Sequence, residues 1–182
     1  MACKYFVAIE MRKLLVLIGF LTTVVFVGNA QDVVNEGLKK KLTKLVEDIE
    51  VVKPNASDPV ALNADMVWSD DKSQLGVVIK ANIFPSWNIY AFVPSTQPFI
   101  ATEPELELPK GITPIGEWKK PAPQLYEQRV LIYKGQIVFS RFFKVEGVLT
   151  EKDTLSTGLY YQACDANMCF PPRSKAKKLV CK

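Results

Sequence analysis

Between Glu36 and Val52 the apolar residues Leu38, Leu42, Leu45, Val46 and Ile49 recur at spacings of four, three, one and three, with Lys39, Lys40, Lys41 and Lys44 mostly on the opposite side. That period predicts one amphipathic helix. Lys53-Pro54-Asn55 is expected to end it, because the residue before a proline is driven out of helical backbone geometry. The helix either packs on the domain or lays its lysines on anionic lipid. After Pro59 the period falls to two. Leu75, Val77, Ile79, Ala81 and Ile83 alternate with Lys80 and Asn82, the mark of a half-buried strand. Ile137, Phe139, Phe143 and Val145 share one face of a second strand, interrupted by Arg141. Further strands are expected around Ala61 to Trp68, Asn88 to Phe92, Glu105 to Leu108, Thr154 to Ala163 and Ala176 to Cys181. Prolines and glycines punctuate them. Several short strands with frequent turns and no helical crossovers predict an all-β fold, an antiparallel sandwich with a short N-terminal helix. Trp118 to Gln128 is the one connection long and aromatic enough to suspect as a functional loop.

Ahead of the helix, Arg12 and Lys13 precede the fourteen-residue apolar or weakly polar run Leu14 to Val27, followed by Gly28-Asn29-Ala30. A basic start, a short apolar middle and a small-residue end predict a cleaved signal peptide over residues 1–30. The run falls short of the roughly 20 residues a membrane span needs. No cysteine stands near the cleavage point, which argues against a lipid anchor. The expected organisation is therefore signal peptide 1–30, helix and linker 31–58, and sandwich domain 59–182. Export places the domain in a disulfide-permissive compartment, the periplasm in a bacterium.

Composition narrows the chemistry more than the fold. The 182 residues carry 23 basic and 19 acidic side chains, too balanced and too scattered for a nucleic-acid footprint. There is no histidine, which excludes Ser-His-Asp and Cys-His catalysis, histidine-ligated metal and an imidazole proton shuttle. Of the four cysteines, Cys3 leaves with the signal peptide and Cys181 is penultimate. Cys164 and Cys169 stand close together in Tyr160-Tyr161-Gln162-Ala163-Cys164-Asp165-Ala166-Asn167-Met168-Cys169-Phe170-Pro171-Pro172, and they are the natural disulfide. Asp, Ala and Asn suit the tight turn this requires, and the two prolines hold the exit extended. A ring of about six residues contributes only about 2 kcal/mol by chain entropy, so the bridge is a poor staple. At a loop tip it is open to an attacking thiolate. Asp165 disfavours a thiolate, whereas Arg173 and Lys175 favour one if the chain folds back on the pair.

The string YYQACDANMCFPP resembles the active-site segment of the N-terminal periplasmic domain of the DsbD family of thiol:disulfide interchange proteins. Pro85-Ser86-Trp87-Asn88-Ile89-Tyr90 is similar to that family's turn-and-strand element, and Pro123-Gln124-Leu125-Tyr126 with Ile132-Tyr133 falls where the family carries its cap loop. The resemblance runs from about Pro59 to Val180. It implies an immunoglobulin-like sandwich whose cysteine pair carries electrons from a membrane-embedded thiol reductase to exported thioredoxin-like proteins, as in cytochrome c biogenesis. It also implies that Cys169 forms the mixed disulfide and Cys164 resolves it, that Tyr90 lines the site, and that Leu125 and Tyr126 cap it. Met168 and Phe170 are then an apolar docking rim, or else turn and core packing. No cofactor and no metal is implied, and thiolate exchange needs no histidine. The best-known members have one more residue between the cysteines and an acidic pair where this chain has Pro123 and Gln124. The chain lacks their membrane and C-terminal thioredoxin-like domains, so its electron donor is expected to be another protein. Two other functions fit the residues: a secreted sandwich that binds a partner and keeps a structural bridge, and soft-metal binding by Cys164, Met168 and Cys169.

Overall fold

In the computed structural model, which describes residues 33–127 and 129–181, the amphipathic segment forms helix α1 (Glu36–Asp48). The expected signal peptide, with Cys3, lies outside the described residues. The Asn35 side chain caps the helix by accepting from the Leu38 N–H. The helix stops earlier than the Lys53-Pro54 signal suggests: Ile49 is already extended, and its N–H bonds back to the Leu45 carbonyl. Among the described residues no helix is long and apolar enough to cross a membrane.

Strands β1 (Val60–Trp68), β2 (Gln74–Ile83), β3 (Asn88–Phe92), β4 (Glu103–Glu107) and β5 (Ile112–Lys119) follow. After them come β6 (Gln124–Leu125), β7 (Leu131–Tyr133), β8 (Gln136–Val145), β9 (Thr154–Tyr161), β10 (Ala163–Cys164) and β11 (Arg173–Val180). All pair antiparallel, in the orders β1-β2-β8-β5, β10-β3-β7-β6 and β11-β9-β4. The inner faces of these sheets meet in one core of Val60, Ile79, Ile89, Phe139, Leu159 and Tyr161, continued by Leu75, Val77, Phe143 and Leu155. This is the immunoglobulin-like sandwich expected from the sequence. The suspected loop from Trp118 to Gln128 is partly strand: Trp118 and Lys119 end β5, and Gln124 and Leu125 form β6.

Strand β2 differs from its half-buried expectation, because α1 lies across the polar face and buries Val78 and Lys80 as well. Gly76 permits this approach; a Cβ there would stand 2.7 Å from Leu42 Cδ1. Lys80 Nζ donates to the Val46 and Ile49 carbonyls at 2.8 and 3.0 Å, satisfying groups that the end of the helix leaves open. Lys80→Met keeps the stem and removes both donors. We expect it to lower stability by about 2 kcal/mol, the scale of a hydrogen bond from a charged group, read from the midpoint of a urea titration. An unchanged midpoint would mean that Lys80 fills space only.

Candidate functional site

Alternation along β3 sorts its side chains between two environments. Ile89 points into the main core with Ala163, its partner across the β3–β10 pair. Asn88 and Tyr90 point the other way, to the face that also carries Cys164, the cross-strand partner of Asn88. On that face Tyr90, Val130, Ile132 and Cys164 form a separate small cluster, flanked by Val93 and Phe99. The Phe99 ring stacks on Tyr90 with centroids 4.5 Å apart. Its loop is held by Gln162, whose Oε1 accepts from the Ile100 N–H at 3.0 Å. Burial pushes the Tyr90 hydroxyl up from its ordinary pKa; the Asn88 side chain opposes this, and the nearby Tyr126 adds to it.

Cys164 and Cys169 are joined by a disulfide, Cα atoms 4.0 Å apart. The chain reverses at Ala166-Asn167: the Asp165 N–H donates to the Met168 carbonyl, and the Phe170 N–H returns to the Ala163 carbonyl. The Asp165 carboxylate accepts from the Asn167 and Met168 N–H groups, both at 2.8 Å. Asp165 therefore builds the turn. The two sulfurs are not equivalent. Cys164 is 2% exposed within the Tyr90 cluster, whereas Cys169 is exposed on the outer arm of the hairpin.

Phe170 stacks on Trp87 with centroids 5.1 Å apart, while Met168 is 50% exposed at the tip. Of the two residues read as docking rim or packing, Phe170 packs on Trp87 and Met168 stands exposed. The Arg173 guanidinium lies 5.6 Å from the Phe170 ring and bonds Asp58 at 2.8 Å. Lys175 Nζ holds both Asp58 oxygens at 2.6 Å and the Val60 carbonyl. Both cations thus bind Asp58.

Leu125 and Tyr126 sit on the β6–β7 hairpin, 74% and 43% exposed. In the order β10-β3-β7-β6 two strands separate Leu125 from Cys164. The hairpin's return arm does reach the site, since Val130 is buried in the cysteine's cluster. Phe92 adds a further exposed apolar ring on the same sheet, in register with Leu131, which in turn pairs with Leu125. Cys181 is far from this chemistry. It is buried with Leu155 and Leu179, and burial, with Asp153 nearby, pushes its thiol up. Phe99 and Val130 were not singled out for the site by sequence, and Asn88 and Gln162 stood in the segments that carry the resemblance without a role of their own.

No protein-family model and no curated protein matches the chain. Solved structures do. The N-terminal periplasmic domain of ScsB from Proteus mirabilis matches with a TM-score of 0.50 and 18% identity, over 71% of this chain and 49% of that one. The chain thus spans about half the length of that structure. The yeast GGA1 GAE domain matches with a TM-score of 0.40 and 13% identity, over 72% of this chain and 97% of that one. A chain in the complex of the DsbD and PilB N-terminal domains from Neisseria meningitidis matches with a TM-score of 0.38 and 16% identity, over 64% of this chain and 80% of that one. The ScsB match establishes likeness of fold: this chain shares the sandwich of that periplasmic domain.

Proposed function

We propose that this chain is a thiol–disulfide exchange domain of an exported compartment, cycling between the Cys164–Cys169 disulfide and the dithiol. The observation that carries this is the asymmetry of the bridge, one sulfur exposed at a hairpin tip and the other buried behind it. In the electron-accepting direction a donor thiolate attacks Cys169 Sγ, the S–S bond breaks, and Cys164 leaves as thiolate; a second donor thiol releases the dithiol. In the donating direction Cys169 thiolate attacks a partner disulfide and Cys164 thiolate then displaces the partner from Cys169, reforming the bridge. Two protons and two electrons pass in each full cycle. The donor is a membrane-embedded thiol reductase and the acceptors are thioredoxin-like proteins of the periplasm. Residues 1–30 are the signal peptide that brings the chain there.

Tyr90 lines the site beside Cys164, and Met168 at the hairpin tip, with Leu125 and Tyr126 on the β6–β7 hairpin of the same sheet, offers exposed apolar surface for a partner. A structural staple would be expected elsewhere, because this bridge closes a ring of six residues and its exposed half holds no part of the main core.

The reduction potential tests this. Equilibrating the domain in graded thiol buffers and counting alkylated cysteines by intact mass should give a value within roughly −120 to −270 mV, the span of known exchange proteins. A potential below about −300 mV, where structural disulfides lie, would overturn the proposal.

A further inference from the structure

Asn88 is a buried polar side chain beside the cysteine pair, with hydrogen-bonding capacity left unused. It is 6% exposed, and its amide nitrogen has no partner at hydrogen-bond geometry among the described residues, although the amide stands near enough to the Tyr90 hydroxyl to oppose the rise in its pKa. Buried donors are almost always satisfied, so an orphaned one asks for a ligand or a state in which its partner forms. Its cross-strand neighbour in register is Cys164. Side chains of paired residues in antiparallel strands stand on the same face with Cβ atoms about 4.5–5.5 Å apart, within reach of an amide and a sulfur.

The Cys164 sulfur changes most when the bridge opens. In the disulfide it is uncharged and a weak acceptor. Once Cys169 is attacked, the electron pair of the broken bond stays on Cys164 Sγ, and a thiolate appears inside a cluster of Tyr90, Val130 and Ile132. An anion there is costly without a donor. Lys175 does not supply one, being bound to Asp58, and Arg173 spends its Nη2 on Asp58, with its Nε buried and without a partner at hydrogen-bond geometry. The Asn88 amide carries two N–H groups and sits at the right register position.

We propose that Asn88 is the hydrogen-bond donor that receives the Cys164 thiolate, its amide engaging the sulfur once the bridge is opened. The assignment rests on the exchange function above and deepens it. It makes Cys164 a better leaving group when the bridge is reduced. By microscopic reversibility the same bond accompanies Cys164 when, as thiolate, it closes the bridge again.

The test is the rate at which excess dithiothreitol reduces the bridge at pH 7. Asn88→Leu removes the donor at similar volume, and Asn88→Asp keeps the shape with no N–H. Each is expected to be reduced about tenfold more slowly than the unchanged protein, with Asp slower than Leu because it adds a like charge. In a Cys169→Ser, Cys181→Ala background the ionisation of Cys164, followed by thiolate absorbance, should move upward by about one pH unit on Asn88→Leu, the same tenfold factor. A purely structural role would leave that ionisation in place. Rates within twofold of the unchanged protein, or an unmoved ionisation, would overturn the assignment. If Asn88→Leu does not fold, Asn88→Asp decides it. Because the reductant is a small thiol, the outcome is independent of any partner. A domain that exchanges with no thioredoxin-like protein but keeps the tenfold ratio would remove the proposed function and leave the donor role standing.

Discussion

Cys169→Ser is expected to bring disulfide exchange with a thioredoxin-like protein to background, whereas Cys164→Ser should accumulate a covalent adduct with it. The two outcomes differ because the two sulfurs differ in access. An incoming thiolate must approach along the S–S axis, and only Cys169 stands exposed. With Cys169 gone the remaining thiol, Cys164, is buried against Tyr90, Val130 and Ile132 and meets no large partner. With Cys164 gone, Cys169 still attacks a partner disulfide, but nothing resolves the product. Cys181 does not stand in, since it is buried in another part of the core. Intact mass under acid quench reads both species directly. Both variants should remain folded, because opening so short a ring costs only about 2 kcal/mol. Equal activity of the two variants and the unchanged domain would sink the mechanism.

Phe139→Ala should produce the largest loss of stability, about 3–5 kcal/mol, with exchange by the remaining folded fraction intact. Phe139 is fully buried on β8, the strand between β2 and β5. Its ring meets Tyr133 edge-on at 5.6 Å, and Tyr133 belongs to β7 in the facing sheet. Truncation therefore empties the space between two sheets, where paired backbones on both sides limit collapse. For a domain of this size the melting temperature should fall by roughly 8 °C or more. Calorimetry on the oxidised protein would show it, and a fall of less than about 3 °C would mean that the sheets close over the gap. The cysteine hairpin lies on the outer face of its sheet, so the two effects should be separable.

What the sequence determined by itself is local. The helix follows from a spacing of three and four, the strands from alternation, and the disulfide from two cysteines close enough that only a tight turn lies between them. Each depends on contacts within one element or one hairpin, so the order of residues contains them. Even there, boundaries moved: α1 ends at Asp48 because Lys80, a residue 32 positions on, takes up its last carbonyls. The short strand β6 falls inside the stretch expected as a loop, since two residues carry no period.

Only the tertiary structure decided which sulfur is reachable. Cys164 and Cys169 have similar neighbours in sequence, but one pairs with β3 and the other turns outward. It also decided that Lys80 is buried, that Phe170 leans on Trp87 while Met168 stays free, and that Arg173 and Lys175 serve Asp58. The pairing of Asn88 with Cys164 spans 76 positions and depends on the register of β3 against β10. Such contacts arise from packing one element on another, and burial and unmet hydrogen bonds are properties of that packing. A residue's own type and its near neighbours do not carry them.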